Sequence, residues 1–190
     1  MKSLESLRNM KEKTAVVTGA TGHLGRVICD TLGELKANLI LLDVDSNDLS
    51  KLKTDIEDKW KVNCFAITCD LENELDRNKA VALIKSNVER VNCLINNAAF
   101  VGDANLDGWA VPFGEQSLET WRRAIEVNLT TPFHFSRDLF RETKETGSGV
   151  ILNISSIKRY LTKKKTKIFN SFGRPFKADE DSRKINKKKH

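Results

Sequence analysis

Short apolar runs alternate along this chain with segments of helical period, and that alternation restricts the fold more than any other feature. Thr14–Thr18 (TAVVT) is β-branched, too short for a helix, and stops at a glycine, so it reads as a buried strand. Residues 24–32 follow with apolar side chains at 24, 27, 28 and 32, the spacing of one helix face. Residues 38–42, 62–69, 91–95 and 149–154 read as four further strands. Residues 48–59 and 73–90 read as helices, the second with apolar positions at 75, 80, 81, 83, 84 and 88. Residues 100–116 contain Gly102, Gly108, Pro112 and Gly114 in a polar setting and read as a loop. Ser117 then suits the N-cap of a long helix reaching about Thr143. Strands separated by helices imply parallel β-α-β units with right-handed crossovers, hence an α/β fold.

The pattern stops after Ile157. Residues 158–190 hold 13 Lys or Arg against 3 Asp or Glu, whereas residues 1–157 hold 19 against 23. The basic balance of the chain is therefore a property of the tail, which shows no sustained period of 2 or 3.6. The sequence predicts a domain over 1–157 and a basic tail over 158–190, either solvated and disordered or read from a shifted frame. A nucleic-acid arm is the weakest reading of that charge. No apolar run is long enough to span a bilayer, and residues 1–13 lack the apolar stretch of a signal peptide, so the expected location is cytoplasmic. Cys29, Cys64, Cys69 and Cys93 have no metal-ligand spacing and lie in or beside apolar segments, as expected of buried free thiols; no metal is expected.

The first strand runs into TGATGHLG at residues 18–25. Glycines at 19, 22 and 25 let the backbone turn tightly and approach a pyrophosphate at the start of the next helix, where free N–H groups and the helix dipole favour anions. The position of the trio between strand and helix makes it specific. Asp43 ends the second strand, about 20 residues further on, where a carboxylate accepts from ribose hydroxyls and repels a 2′-phosphate. Val44 follows it and no Arg or Lys adjoins it, which favours NAD over NADP.

With these motifs stand Cys69-Asp70-Leu71 after the third strand, Asn96-Asn97-Ala98-Ala99 after the fourth, Val127-Asn128-Leu129 in the long helix and Asn153-Ile154-Ser155-Ser156 after the fifth. In this order the sequence resembles the short-chain dehydrogenase/reductase family over about residues 11–157. The resemblance implies a Rossmann-like, doubly wound parallel sheet, here incomplete after the fifth strand. It implies an NAD(P)-dependent oxidoreductase that moves a hydride between NAD and a small-molecule substrate bearing a hydroxyl or carbonyl. It further implies that Gly19, Thr21, Gly22, His23, Leu24 and Gly25 hold the cofactor, with Asp43 on the ribose, Asp70 and Leu71 at the adenine, and Asn97 and Ala98 along its length. By the same resemblance Asn128 holds a proton-relay water and Ser156 polarises the substrate carbonyl. His23 departs from the pattern, standing where many members carry a small residue, and Gly22 shifts the spacing toward the extended branch of the family.

The family also uses a Tyr as general acid/base and a Lys four residues later that lowers its pKa. The one tyrosine here is Tyr160, with Lys164 four residues on. Four of the five residues 163–167 are lysine, so that offset carries little information, and Tyr160 follows Ser156 too closely for the usual loop. The alternatives are therefore an NAD-linked oxidoreductase and a nucleotide-binding remnant that has lost turnover. The resemblance implies a homo-oligomer, against which stands the lack of recognisable later helices.

Overall fold

A computed structural model describes residues 9–100, 106–109 and 111–155 of the chain. Ser156, Tyr160, Lys164 and the basic tail lie outside the described residues. In chain order the elements are β1 (Thr14–Thr18), α1 (His23–Glu34), β2 (Asn38–Asp43), α2 (Ser46–Trp60), β3 (Cys64–Thr68), α3 (Glu74–Asn87) and β4 (Cys93–Asn96). A 3-10 turn (Phe113–Glu115), α4 (Leu118–Ile125), a π-helical segment (Glu126–Thr130), α5 (Thr131–Asp138), α6 (Phe140–Lys144) and β5 (Val150–Asn153) follow. Residues up to Phe100, with Ala124–Ile154, make one compact unit; Val101–Arg123 belongs to a second.

The five strands form one parallel sheet in the order β3-β2-β1-β4-β5. The chain winds outward from β1 through β2 to β3, then returns to the other side of β1 for β4 and β5, as a doubly wound sheet does. β1 sits at the centre and all five of its residues are buried, which is why its sequence is continuously apolar or β-branched rather than alternating. Its side chains divide between two cores. Val16 packs with Ile40, Leu42, Ile67 and Leu94 under Ala80, Val81, Ile84, Val127, Phe135 and Leu139. Ala15 and Val17 pack with Leu39, Leu41 and Ile95 under Cys29, Leu49, Leu52 and Ile56.

Three helices differ from the sequence reading in ways that have physical causes. In α1 the expected stripe 24, 27, 28 and 32 is not the buried one: Leu24 and Val27 are exposed, while Gly25, Cys29 and Gly33 are buried. Small residues four apart let the helix lie close to its neighbours, and a Cβ on Gly33 would come within 2.6 Å of the Trp60 ring. In α3, Leu75 and Leu83 are exposed, and the inward stripe is Arg77, Ala80, Val81 and Ile84. The long helix from Ser117 is interrupted. Ser117 does cap it, its Oγ accepting from Thr120 N at 3.3 Å, but the regular ladder gives way at Glu126–Thr130. Pro132 has no N–H, so the carbonyl of Asn128 lacks the donor four residues on that a regular helix supplies. The Thr131 N–H reaches back five residues to Glu126 O instead. A second break falls at Leu139, between α5 and α6.

β5 bonds only to β4 among the described strands, and Val150 and Leu152, with Ile154 just beyond, are exposed. That leaves the unpaired edge expected of the fifth strand. Among the described residues no helix is long and apolar enough to cross a membrane.

All four cysteines are buried free thiols. Burial pushes the Cys29, Cys64 and Cys69 thiols up to about 12, and raises Cys93 as well. Because the thiolate is the nucleophile, Ellman's reagent at pH 8 is expected to leave the native protein almost unmodified and to titrate four thiols once guanidinium unfolds it. Rapid reaction of the native protein would contradict this core. A second expectation concerns the α1–α2 contact, where Asp30 accepts from Lys59 Nζ and Trp60 Nε1. These donors, Lys59 first, hold the Asp30 carboxyl below the usual carboxylate range. A lowered folded value contributes stability above the unfolded carboxylate pKa, and that contribution is lost as pH falls through the lowered one. Urea titrations should therefore show Asp30→Asn slightly less stable than the native chain at pH 7, with the gap closing below about pH 4. The side chain is half exposed, so the gap is small; a gap that widens in acid would be the wrong sign.

Candidate dinucleotide site

The carboxyl ends of β1 and β4 meet where the strand order reverses, the place where open α/β sheets form a crevice. Two turns leave the sheet here and are fastened together. Thr18 Oγ1 accepts from the N–H groups of both Asn97 and Ala98 at 3.1 Å, and Asn97 Nδ2 donates to the carbonyls of Thr18 and Gly19 at 3.0 Å each. Gly19 has φ +66°, and a Cβ on it would lie 2.8 Å from Ala98 Cα. Only glycine meets both demands. Gly25 is needed for a different reason: its Cβ would fall 2.0 Å from Gly19 O.

The glycine turn delivers the chain to α1 at Gly22, which is extended (φ −65°, ψ 163°) and gives no side-chain cap. The helices α2 and α3 are treated differently. Asp45 caps α2 by accepting from the N–H groups of Asn47 and Asp48, and Asn73 caps α3 by accepting from Leu75 and Asp76. Both have acidic residues in the first turn, whereas α1 has none. Gly22, His23 and Leu24 are exposed. The start of α1 thus keeps its free N–H groups and the positive end of its dipole toward solvent, beside the crevice.

Asp43, at the end of β2, does more than its sequence position indicates. Its Oδ2 accepts from Thr21 N at 2.8 Å and Thr21 Oγ1 at 2.7 Å, and Oδ1 accepts from Val44 N at 2.8 Å. One carboxylate therefore holds the glycine turn and keeps acceptor capacity on Oδ1. Arg26 braces the same turn by donating to Thr21 O at 2.8 Å and pairing with Asp48 at 3.1 Å. Asp70 is exposed beyond β3, where its Oδ1 accepts from Glu72 N. The Leu71 side chain belongs to the core, and its carbonyl accepts from Arg77 and Thr131.

Asn128 lies in the middle of the π segment. Its side-chain amide reads the backbone of Phe100 in both directions, Oδ1 accepting from Phe100 N at 2.7 Å and Nδ2 donating to Phe100 O at 3.1 Å. Asn96 Nδ2 donates to Asn153 Oδ1 at 2.8 Å across the β4–β5 pair. Among the sequence-derived residues, Gly19, Thr21, Gly25, Asp43, Asn97 and Ala98 are gathered around one pair of turns. Thr18 was missed, although its place at the head of the glycine motif was the available signal.

The family model described as short chain dehydrogenase matches residues 13–166. The chain belongs to that family. It is 28% identical over 145 residues to the 7alpha-hydroxysteroid dehydrogenase of Escherichia coli K12, a match covering 76% of this chain and 53% of that protein. Among solved structures it resembles a metagenomic short-chain oxidoreductase in complex with NADP (TM-score 0.70, 26% identity, 78% of this chain and 63% of that one). It also resembles a 3-oxoacyl-[acyl-carrier protein] reductase with bound NAD from Brucella melitensis (TM-score 0.69, 28% identity, 82% of this chain and 59% of that one). The chain spans about half the length of the curated relatives it matches.

The two glycines give this site a stability signature. Gly25→Ala drives a methyl into the Gly19 carbonyl and is expected to cost about 2–4 kcal/mol. Gly22→Ala meets only ordinary contact, 3.4 Å from Gly19 O, at a negative φ, and should cost about 1 kcal/mol or less through the poorer cap. Urea unfolding of the two variants checks the order; equal losses would mean that the turn is not built as described.

Proposed function

We propose that this chain binds a nicotinamide dinucleotide across the carboxyl ends of β1, β2 and β4, as the adenosine-binding half of a short-chain dehydrogenase site. The uncapped, exposed start of α1 beside the glycine turn carries this reading, because the fold caps the neighbouring helices α2 and α3 with Asp45 and Asn73 and leaves this one open to an anion. The residues fit the group. Backbone N–H groups at His23, Leu24 and Gly25, in the first turn of α1, face a diphosphate, and Gly19 and Gly25 keep side chains out of its way. Oδ1 of Asp43 accepts from an adenosine ribose hydroxyl while Oδ2 holds Thr21. A carboxylate at that point repels a 2′-phosphate, which favours NAD over NADP. Asp70 accepts from the adenine amino group beside Leu71, and Asn97 and Ala98 flank the crevice further along.

When bound, the nicotinamide supplies hydride transfer to or from a hydroxyl- or carbonyl-bearing small molecule. By the family resemblance Asn128 holds a proton-relay water, and Ser156 donates to the substrate oxygen. Tyr160 and Lys164 are the acid/base pair of the active reading. A second reading, nucleotide binding without turnover, is favoured by the single tyrosine only four residues beyond Ser156. A cytoplasmic setting accompanies either reading.

Calorimetry with ADP-ribose and NAD is expected to show one site per chain. Asp43→Asn should weaken NAD about tenfold, the worth of one charge-assisted hydrogen bond, and weaken NADP less. Heat-silent titration of the folded native chain would sink the proposal, and equal effects on NAD and NADP would remove Asp43 from the ribose. Turnover of ketones, alcohols and sugar derivatives with NAD(H) decides between the readings: oxidation or reduction lost in Tyr160→Phe supports the enzyme, and binding with no conversion supports the remnant.

A further inference from the structure

The inward stripe of α3 contains a charge that its pattern does not call for. Arg77 occupies a buried position with Ala80, Val81 and Ile84, and its side chain is 2% exposed. A guanidinium there loses its water, so its hydrogen bonds must come from the protein. Nη1 donates to Leu71 O at 2.6 Å, Nη2 to Glu126 Oε1 at 2.6 Å, and Nε to His134 Nδ1 at 3.2 Å. The last bond leaves the His134 ring proton on Nε2, which lies 3.0 Å from Asp138 Oδ2. Arg137 also pairs with Asp138 and keeps that carboxyl below its usual range.

These bonds converge on the π segment from both ends. Glu126 is its first residue and is held by Arg77. Thr131 is the first residue after it, and Thr131 Oγ1 donates at 3.0 Å to Leu71 O, the same carbonyl that Arg77 holds. Both ends of the segment bearing Asn128 are thus tied to one carbonyl in the turn after β3, the turn that begins at Asp70. A buried ion pair is weak evidence of stabilisation, since apolar replacements of equal volume are often neutral. A planar fork that sets three acceptors at fixed angles is instead suited to defining geometry.

We propose that Arg77 is a positioning residue that couples the turn after β3 to the π segment bearing Asn128, so that order on the adenosine side is transmitted to the reaction side. The mechanical link stands on the bonds above; its consequence for ligands rests on the nucleotide-binding reading. Native-state amide exchange on the full chain tests the link without any nucleotide. Glu126→Gln, which weakens the bond at the far end, is expected to speed exchange at residues 70–73 about threefold or more, although it does not touch them. Arg77→Met should speed exchange at both 70–73 and 126–131, and adding Glu126→Gln to it should change neither further. Arg77→Lys keeps the charge without the fork and should behave like Arg77→Met. Additive effects, each confined to its own element, would overturn the coupling, as would full rescue by lysine. If Arg77→Met does not fold, the response of 70–73 to Glu126→Gln decides alone.

Saturating ADP-ribose then tests the consequence. It should slow exchange at 126–131 in the native chain and not in the equally saturated Arg77→Lys or Glu126→Gln chain, whereas equal protection in all three would overturn the transmission. Absence of ADP-ribose binding would overturn the nucleotide reading and leave the ligand-free cycle to decide the coupling.

Discussion

The close approach of the turns after β1 and β4 is the constraint on which the site depends. A backbone can come within van der Waals contact of another only where a side chain is missing, and Gly19, at φ +66° against Ala98 Cα, supplies that absence. Approach alone would leave polar groups stranded at the sheet end. Thr18 and Asn97 remove that cost by pairing two N–H groups with one hydroxyl and two carbonyls with one amide. The two turns become a single rigid lip, and α1 starts from it with its N-terminal donors aimed outward. On the proposed reading, an anion there meets backbone donors without a positive side chain.

Burial explains what was legible in the sequence and what was not. β1 and the Leu39–Leu42 run of β2 could be read because both their faces are covered, so every residue there had to be apolar or β-branched. The glycine turn could be read because its conformation admits one residue type. Helix faces were harder. A pattern of large apolar residues marks α3 as facing inward at 75 and 83, yet those leucines are exposed and Arg77 is buried. The periodicity rule weighs hydrophobicity and cannot register a charge whose partners are brought in from residues 71, 126 and 134 by tertiary structure. The same holds for Thr21 and Asp43, which lie 22 residues apart and meet only because β1 and β2 are neighbours. The π segment was signalled by Pro132, but a proline in a helix announces a missing donor without saying how the ladder will close around it.

Three polar groups around the site serve two purposes at once. Asp43 holds the glycine turn with one oxygen and presents the other at the crevice; the carbonyl of Leu71 receives Arg77 and Thr131 together; the amide of Asn128 accepts from and donates to the backbone of Phe100 at once. Such sharing makes the geometry of one segment conditional on another, which an apolar core does not do, because apolar packing tolerates repacking at similar volume.

The parts of the proposed site separate along the chain for the same reason. The glycine turn, Asp43, Asp70 and the Asn97–Ala98 turn are all held by β1 to β4 and the helices between them, and none of their described hydrogen bonds requires a residue beyond Asn128 except those that Arg77 gathers. On the proposed reading, dinucleotide binding through the adenosine half asks only for these strands and the helices between them. Hydride transfer asks for more: a serine after β5 and an acid/base pair placed against the same ring. In the proposed coupling, Arg77 ties the turn after β3 to the segment that carries Asn128, alongside the direct bonds from Thr131 to Leu71 and between Asn128 and Phe100. If that coupling operates, a chain that keeps Arg77, Glu126 and Thr131 in register holds the segment bearing Asn128 in place, whether or not a proton donor stands opposite it.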